Sequence, residues 1–401
     1  MRNSLSTSTV LRRATAALAA LLTALHASAD VHEVHPGDDW SRLADRIKPG
    51  DEIVLAEGEH VPATFTGLRG EPTRPIVIRP ALAGKLAEIR PDREALKLVD
   101  CSHVRVERIL VRNARRAGIL VESSVPGASR DIGLADVLVI GVKGLAEQAG
   151  VVIRESSEVG ILRSRFENCA GSGILIENSD GVTVDSIQII ARKNAPMQAG
   201  VAIAGACERP SVLRVSVSGQ VDTAFEIGRK APERLAVGSA PPASAPADAP
   251  STKRAAVRNL VITESRSRGS ARAIDFGSCE ECVVRSSTFL DSREEVHRVA
   301  PPPTGYSTGS LRFTDNLVAW EPGVLRRLAS IEPGGEAARF VFGPNLWWSS
   351  ELPVALPRIG VEGTIFTGTI DAAQILDVDP VLDNYGYSTS ERSRGFGAPK
   401  P

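Results

Sequence analysis

Aromatic residues are scarce in this 401-residue chain: Phe, Trp and Tyr together make up 4 %, against 42 % apolar residues in all. A core without many rings must be built from Val, Ile, Leu and Ala, the residues that suit narrow stacked strands. An excess of one charge is also absent. The formal net charge is −1, which removes the electrostatic case for nucleic acid. Basic runs such as Arg112 to Arg116 then read as solvated turns. After Leu25 no apolar run approaches the length of a membrane span. No phosphate loop, HExxH or nucleophile elbow occurs.

Cysteine is sparse and odd in number. Cys101, Cys169, Cys207, Cys279 and Cys282 leave at least one thiol free in an oxidising compartment. Cys279 and Cys282 could close a tight disulfide, form half a metal site, or stay unpaired in the core. No further ligands at zinc spacing accompany them. His32 and His35 are a second, weakly placed metal pair.

The N-terminus has the layout of an export signal. Arg12 and Arg13 precede the apolar run Ala14 to Leu25, and Ala27-Ser28-Ala29 is an A-x-A cleavage site. No Cys follows that site, so no lipid anchor is expected, and ordinary secretion fits better than a twin-arginine route. The expected organisation is a signal peptide over 1–29, a cap and first coils over 30–94, a repeat body over 95–382 and a polar tail over 383–401. The protein is expected to be secreted or periplasmic, monomeric and without a membrane span.

What the chain does have is one register that keeps returning: small, apolar, variable, apolar. It starts at Gly118, Gly150, Gly173 and Gly200, then with Ala at Ala224 and Ala273. A period of about 24 residues with occasional insertions marks a coiled solenoid, because one turn cannot bury its own apolar face. One coil shows the grammar. Leu96 to Leu98, Val104 to Val106 and Ile109 to Val111 are three short strands, and Arg112 to Ala117 returns the chain to Gly118. The predicted fold is all-β: a single-stranded right-handed parallel β-helix of the pectin-lyase-like kind, with coils about 4.8 Å apart. Asp39 to Ile47 reads as a capping helix with Trp40, Leu43, Ala44 and Ile47 on one face. Residues 231–256, rich in Pro, Ala and Ser, read as a disordered loop inserted between two strands of one coil. Leu346-Trp347-Trp348 is either a stacking platform for sugar or the apolar closure of the far end.

Strand alternation then sorts the side chains. In the first strand of each coil, Leu96/Leu98, Ile119/Val121, Val151/Ile153, Ile174/Ile176, Val201/Ile203, Phe225/Ile227 and Ile274/Phe276 point inward. Two outward columns remain. One runs Lys97, Leu120, Val152, Leu175, Ala202, Glu226, Asp275; the other runs Val99, Glu122, Arg154, Glu177, Ala204, Gly228, Gly277. Glu122, Arg154 and Glu177 read either as a surface salt ladder or as a sugar-binding cluster, with Lys97 beside it. Glu226 and Asp275 should be direct neighbours. Two carboxylates at one-coil spacing raise one pKa or recruit a cation, so calcium is the cofactor this face could take. Asn113 and Asn168, in similar turns, could join an asparagine ladder, and His103 sits in a turn beside Cys101.

Lys48-Pro49-Gly50-Asp51-Glu52-Ile53-Val54-Leu55-Ala56-Glu57-Gly58 and Gly70-Glu71-Pro72-Thr73-Arg74-Pro75-Ile76-Val77-Ile78-Arg79 resemble the opening segments of polysaccharide lyase family 6, the alginate lyases and chondroitinase B. The resemblance implies abstraction of the proton α to a uronate carboxyl, followed by β-elimination. Its catalytic pattern, a Lys-Ser pair and an Arg-His-Gly on adjacent coils, is replaced here. Glu155 falls where the Lys base would be, beside Arg154, and Glu177 falls near the Arg position. The expected catalytic candidates are Arg154, Glu155, Glu177, Glu226 and Asp275, with Lys97, Glu122, Arg154 and Glu177 binding substrate. Three functions stay open: engagement of an acidic polysaccharide with lyase activity, a non-catalytic glycan-binding scaffold, and a glycoside hydrolase using Glu226 and Asp275.

Overall fold

The computed structural model describes residues 29–401 except 92, 144–147, 230–254, 304–305, 308, 336–339, 351–357, 361–379, 384–386 and 401. Almost all of the expected signal sequence and of the Pro/Ala-rich insertion lies outside the described residues.

Among those residues the chain winds through three long parallel sheets of 12, 11 and 11 strands, with a short three-stranded sheet of Cys207–Glu208, Val257–Arg258 and Cys279–Glu280 at one corner. Each coil visits them in the same order. Ala117–Glu122 lies in the first-strand sheet, Arg130–Ala135 in the second and Leu138–Val142 in the third, before Ala149–Arg154 returns to the first. Every ladder between these strands is parallel, as a right-handed β-helix requires; Glu122 lies beside Val99 on one side and Arg154 on the other. Strand Val221–Arg229 and strand Val261–Thr263 belong to one coil, so the register resumes after residues 230–254.

The small residue that opens each first strand has a steric cause. A Cβ on Gly150 would lie 2.5 Å from Phe166 Cδ1, and one on Gly118 would lie 2.8 Å from both Val139 methyls. At this corner the first strand passes over an inward side chain of the third, and a larger residue has no room. Inside, one continuous apolar core runs from Val34 and Trp40 to Trp347.

The cap differs in kind from the expected helix. It is a single 3-10 segment, Trp40–Asp45. The nine residues between Asp39 and the Pro49-Gly50 stop are too few for a stable α-helix, and short 3-10 turns serve such connections. Trp40 is buried, donates from Nε1 to the Val61 carbonyl at 2.8 Å and meets Phe65 edge-on at 5.4 Å. Leu43, Ala44 and Ile47 pack beside it. At the other end Trp347 joins the core, and Trp348 packs with Leu382 and Phe396 of the C-terminal segment. Trp347 is thus part of the apolar closure, and Trp348 is partly buried against it.

All five cysteines are free and buried. Cys101 and Cys207 share a corner column with Ser129, Ser156 and Ser179. There the Cys101 N–H donates to Ser129 Oγ at 3.2 Å, and the Ser156 N–H to Ser179 Oγ at 3.2 Å. Burial pushes the Cys101 thiol up to about 11 and that of Cys207 up to about 12. Both act as small hydrogen-bonding corner residues. No asparagine ladder joins Asn113 to Asn168, because Gly141 occupies the coil between them; the Asn–Asn step in the structure is Asn316 to Asn345, at 3.0 Å.

Candidate functional site

The outer face of the first-strand sheet changes character along the stack. Its first coils carry matched charges. Lys97 Nζ lies 2.6 Å from Glu122 Oε1, and Arg154 pairs with Glu177 on the next coil. Glu155 does not share this column. It sits in the following turn at φ +50°, where its Oε1 accepts from Asn178 Nδ2 at 3.0 Å. Beside the charges runs an apolar strip of Leu120, Val152, Leu175 and Ala202 with Ala117, Ala149 and Ala199. These residues are buried, yet separate from the main core. They point outward, as alternation predicts.

The column of Glu226 and Asp275 closes this strip. Glu226 is the register partner of Ala202 and of Asp275, and Asp275 of Arg298. Asp275 is fully buried. Its Oδ2 accepts from Arg229 at 2.8 Å and from Arg298, and its Oδ1 has no hydrogen-bond partner. Arg298 also reaches Glu332 at 3.3 Å. Burial opposes the charge of Arg298, but Asp275, Glu332 and Glu295 more than offset it and hold its pKa above the ordinary guanidinium value. Glu226 keeps 29 % of its side chain exposed, and its Oε2 lies 3.9 Å from Arg229. Burial pushes the Glu226 carboxyl up; Arg229 and Arg298 oppose this, while Asp275 adds to it.

Alternation placed Lys97, Glu122, Arg154, Glu177, Glu226 and Asp275 on one face, and they stand there. It paired Ala204 with Gly228, and here the structure differs. A bulge after Ile203 brings Arg229 opposite Ala204. That extra residue turns a guanidinium onto Asp275. The local signal for it was faint: Gly228, at φ +66°, marks the irregularity. Arg298 was also missed, because the repeat frame loosens after Asp291 while the strand Glu295–Val299 keeps the register.

Neither carboxylate cluster suits calcium. Two guanidiniums share one oxygen of Asp275, and Arg154 and Lys97 engage Glu177 and Glu122. A divalent cation would have to displace charges already in contact. His32 pairs with Asp51 at 3.2 Å, and among the described residues no group of three or more His, Cys, Asp or Glu is placed to hold a metal.

No protein-family model matches the chain, and no curated protein matches it in sequence. Among solved structures, a rhamnogalacturonan lyase superposes over 92 % of this chain and 99 % of its own, with a TM-score of 0.56 and 13 % identity. Pectate lyase Pel9A covers 79 % of this chain and 80 % of its own, with a TM-score of 0.51 and 12 % identity. A GH136 lacto-N-biosidase from Eubacterium ramulus covers 79 % and 68 %, at 0.50 and 12 %. At these identities the likeness is one of fold, and it is the right-handed parallel β-helix that the repeat predicts.

Proposed function

We propose that this chain is a secreted polysaccharide lyase that binds an acidic glycan along the outer face of its first-strand sheet and cleaves it beside Glu226. The carrying observation is the pairing of a partly exposed carboxyl of raised pKa with a guanidinium that a buried aspartate holds in place. Arg229 neutralises the uronate carboxylate, which acidifies the adjacent C5 proton. Ionised Glu226 takes that proton; its raised pKa makes it the stronger base. The C5–H electrons form the C4=C5 double bond, the C4–O bond breaks, and the proton passes from Glu226 to the leaving oxygen. Asp275 is a positioning residue, since it is fully buried. For the same reason it cannot serve as the second carboxylate of a hydrolytic pair. Lys97 and Glu122 would meet glycan units further along the face. Arg154 with Glu177, and Glu155 with Asn178, shape that face as satisfied pairs.

That satisfaction favours one rival, a non-catalytic binder. Wild type and Glu226→Gln are incubated with polygalacturonate, alginate and chondroitin sulfate, and the ultraviolet absorbance of unsaturated uronate is followed. Absorbance from one glycan, falling about 100-fold or more in Glu226→Gln, is the expected result. Its acid limb should lie above the ordinary carboxylate range. New reducing ends without absorbance would mean hydrolysis. Gel retardation with neither product would mean a scaffold.

A further inference from the structure

The strand that opens the stack, Val31–Val34, begins two residues after the Ala27-Ser28-Ala29 site and pairs in register with Glu52–Leu55. Ala29 and Asp30 are exposed, so the bond between them lies at the surface. The backbone of Asp30 is nevertheless fixed. Its carbonyl accepts from the Glu52 N–H at 2.9 Å, and its own N–H donates to Asp51 Oδ1 at 3.0 Å. Asp51 is buried. Its Oδ2 closes the turn before the second strand by accepting from the Lys48 N–H at 2.8 Å, and it meets His32 Nε2 at 3.2 Å. The turn uses Oδ2, and Oδ1 points at the Asp30 nitrogen.

A desolvated carboxylate favours a cation over a neutral N–H. Burial opposes the charge of Asp51, but the Lys48 and Asp30 N–H groups and His32 more than offset it and hold the pKa below the ordinary carboxylate value. His32 matches that charge only when protonated. The other charged groups around the turn are engaged elsewhere: Arg79 Nε donates to Glu52 at 3.0 Å, and Arg74 donates to the Pro49 carbonyl. Hydrolysis of the Ala29–Asp30 bond would change the donor on Oδ1. Water adds across the bond, Ala29 leaves as a carboxylate, and the protons of that water end on the Asp30 nitrogen. An α-amine ordinarily stays protonated below about pH 7.7. The nitrogen already stands at hydrogen-bond distance, so the new cation needs no rearrangement to meet the carboxylate.

We infer that an export peptidase cuts the Ala29–Asp30 bond and that the α-ammonium so freed on Asp30 forms an ion pair with buried Asp51, locking the first strand onto the stack. The inference rests on the export reading of the N-terminus and makes no use of the lyase chemistry. The full chain is produced in a secreting bacterial host, and the exported protein is sequenced from its N-terminus and weighed by intact mass. A second full chain carries Gly-Ser inserted between Ala29 and Asp30, which leaves an amide on Asp30 and moves the amine away from Asp51. The wild type should start at Asp30. Near pH 6.5 its unfolding equilibrium constant should be about tenfold smaller than that of the insertion chain, because a charge-assisted bond replaces a neutral one. In the Asp51→Asn background the two chains should unfold alike. Should Asp51→Asn not fold, or the insertion chain be cut elsewhere, the pH dependence of amine labelling on the N-terminal peptide decides: the folded wild-type amine should titrate above about 7.7. A start other than Asp30 overturns the processing site. A start at Asp30 overturns the ion pair if the two chains are equally stable, if their difference survives Asp51→Asn, or if the amine titrates at its ordinary value.

Discussion

Asp275→Asn keeps the shape of the side chain and removes its charge, so it isolates the electrostatic role of the buried carboxylate. Asp275 is fully buried, and one of its oxygens receives both Arg229 and Arg298. At about 4 Å and an effective dielectric near 20, one unit-charge pair attracts by about 4 kcal/mol. Arg298 is 14 % exposed and feels most of that, whereas Arg229, 37 % exposed, is screened by solvent. Relief of the desolvated carboxylate charge offsets part of the loss. Removing one partner of a buried pair costs about 3–5 kcal/mol when the other charge is stranded; Arg298 keeps Glu332 at 3.3 Å, so the loss should fall at the lower end, about 3 kcal/mol. Denaturant unfolding followed by tryptophan fluorescence reports it, since Trp40, Trp320 and Trp347 are all buried. Asp136→Asn is the control, because Asp136 and Arg163 form an exposed pair of the kind that contributes about 1 kcal/mol or less. Equal losses from the two variants would refute the reasoning, because they would mean that Asp275 is as well solvated as Asp136. Replacing Arg298 by Met in the Asp275→Asn background should recover part of the loss, since the cation left with the partly exposed Glu332 is then gone.

His297 is fully buried, and burial pushes its pKa down to about 3. The unfolded chain binds a proton near pH 6.5 that the folded chain refuses, so stability should fall as pH drops from about 6.5 toward 3. His297→Leu should flatten that limb in a series of Tm against pH. Glu226 acts in the opposite sense: its folded pKa is raised, so acidification through its titration favours the folded chain, and Glu226→Gln should steepen the same limb. Ile176→Asp should yield no soluble folded protein, since Ile176 is wholly inside the core and an inward carboxylate has no partner there. Cys207→Ser should alter stability by no more than about 1 kcal/mol, because Ser179 fills the same column one coil earlier and a hydroxyl can donate to the Ala204 carbonyl as the thiol does.

The sequence carries the fold because a stacked coil repeats one physical problem. Each first strand must bury two apolar side chains inward, and Ile119/Val121, Ile174/Ile176 and Phe225/Ile227 do so at a spacing that can be read without coordinates. Outward neighbours follow from the same count, which is why Glu226 and Asp275 could be placed side by side. The count fails where one residue is added. Arg229 replaces Gly228 beside Ala204 through a bulge, and period-2 reasoning shifts every later side chain by one when that happens. Ladders at the corners are illegible for a different reason. Cys101, Ser129, Ser156, Ser179 and Cys207 differ in spacing and in chemistry, and only stacking reveals that each satisfies a backbone group of the coil next to it or of its own turn.

The candidate site obeys the same division. Residues within one strand, and their partners one coil away, are fixed by register. The groups that give Asp275 its meaning arrive from elsewhere: Arg229 from the end of an irregular strand, Arg298 from a coil where the repeat has faded, and Glu332 from just beyond the next strand. A carboxylate pair in the sequence suggests a cation site or a hydrolytic dyad, because neither reading needs more than two acids. Two guanidiniums on one oxygen change that chemistry. They set two cations on Asp275 Oδ2 that oppose calcium there, while burial keeps Asp275 from solvent, and they present Arg229 at the surface beside a carboxyl that holds its proton longer than usual. The proposed lyase reading therefore turns on Arg229. Arg229→Lys retains the charge but not the planar fork that Asp275 grips. Loss of activity in that variant with the fold intact would separate a positioned guanidinium from a positive charge that merely stands nearby.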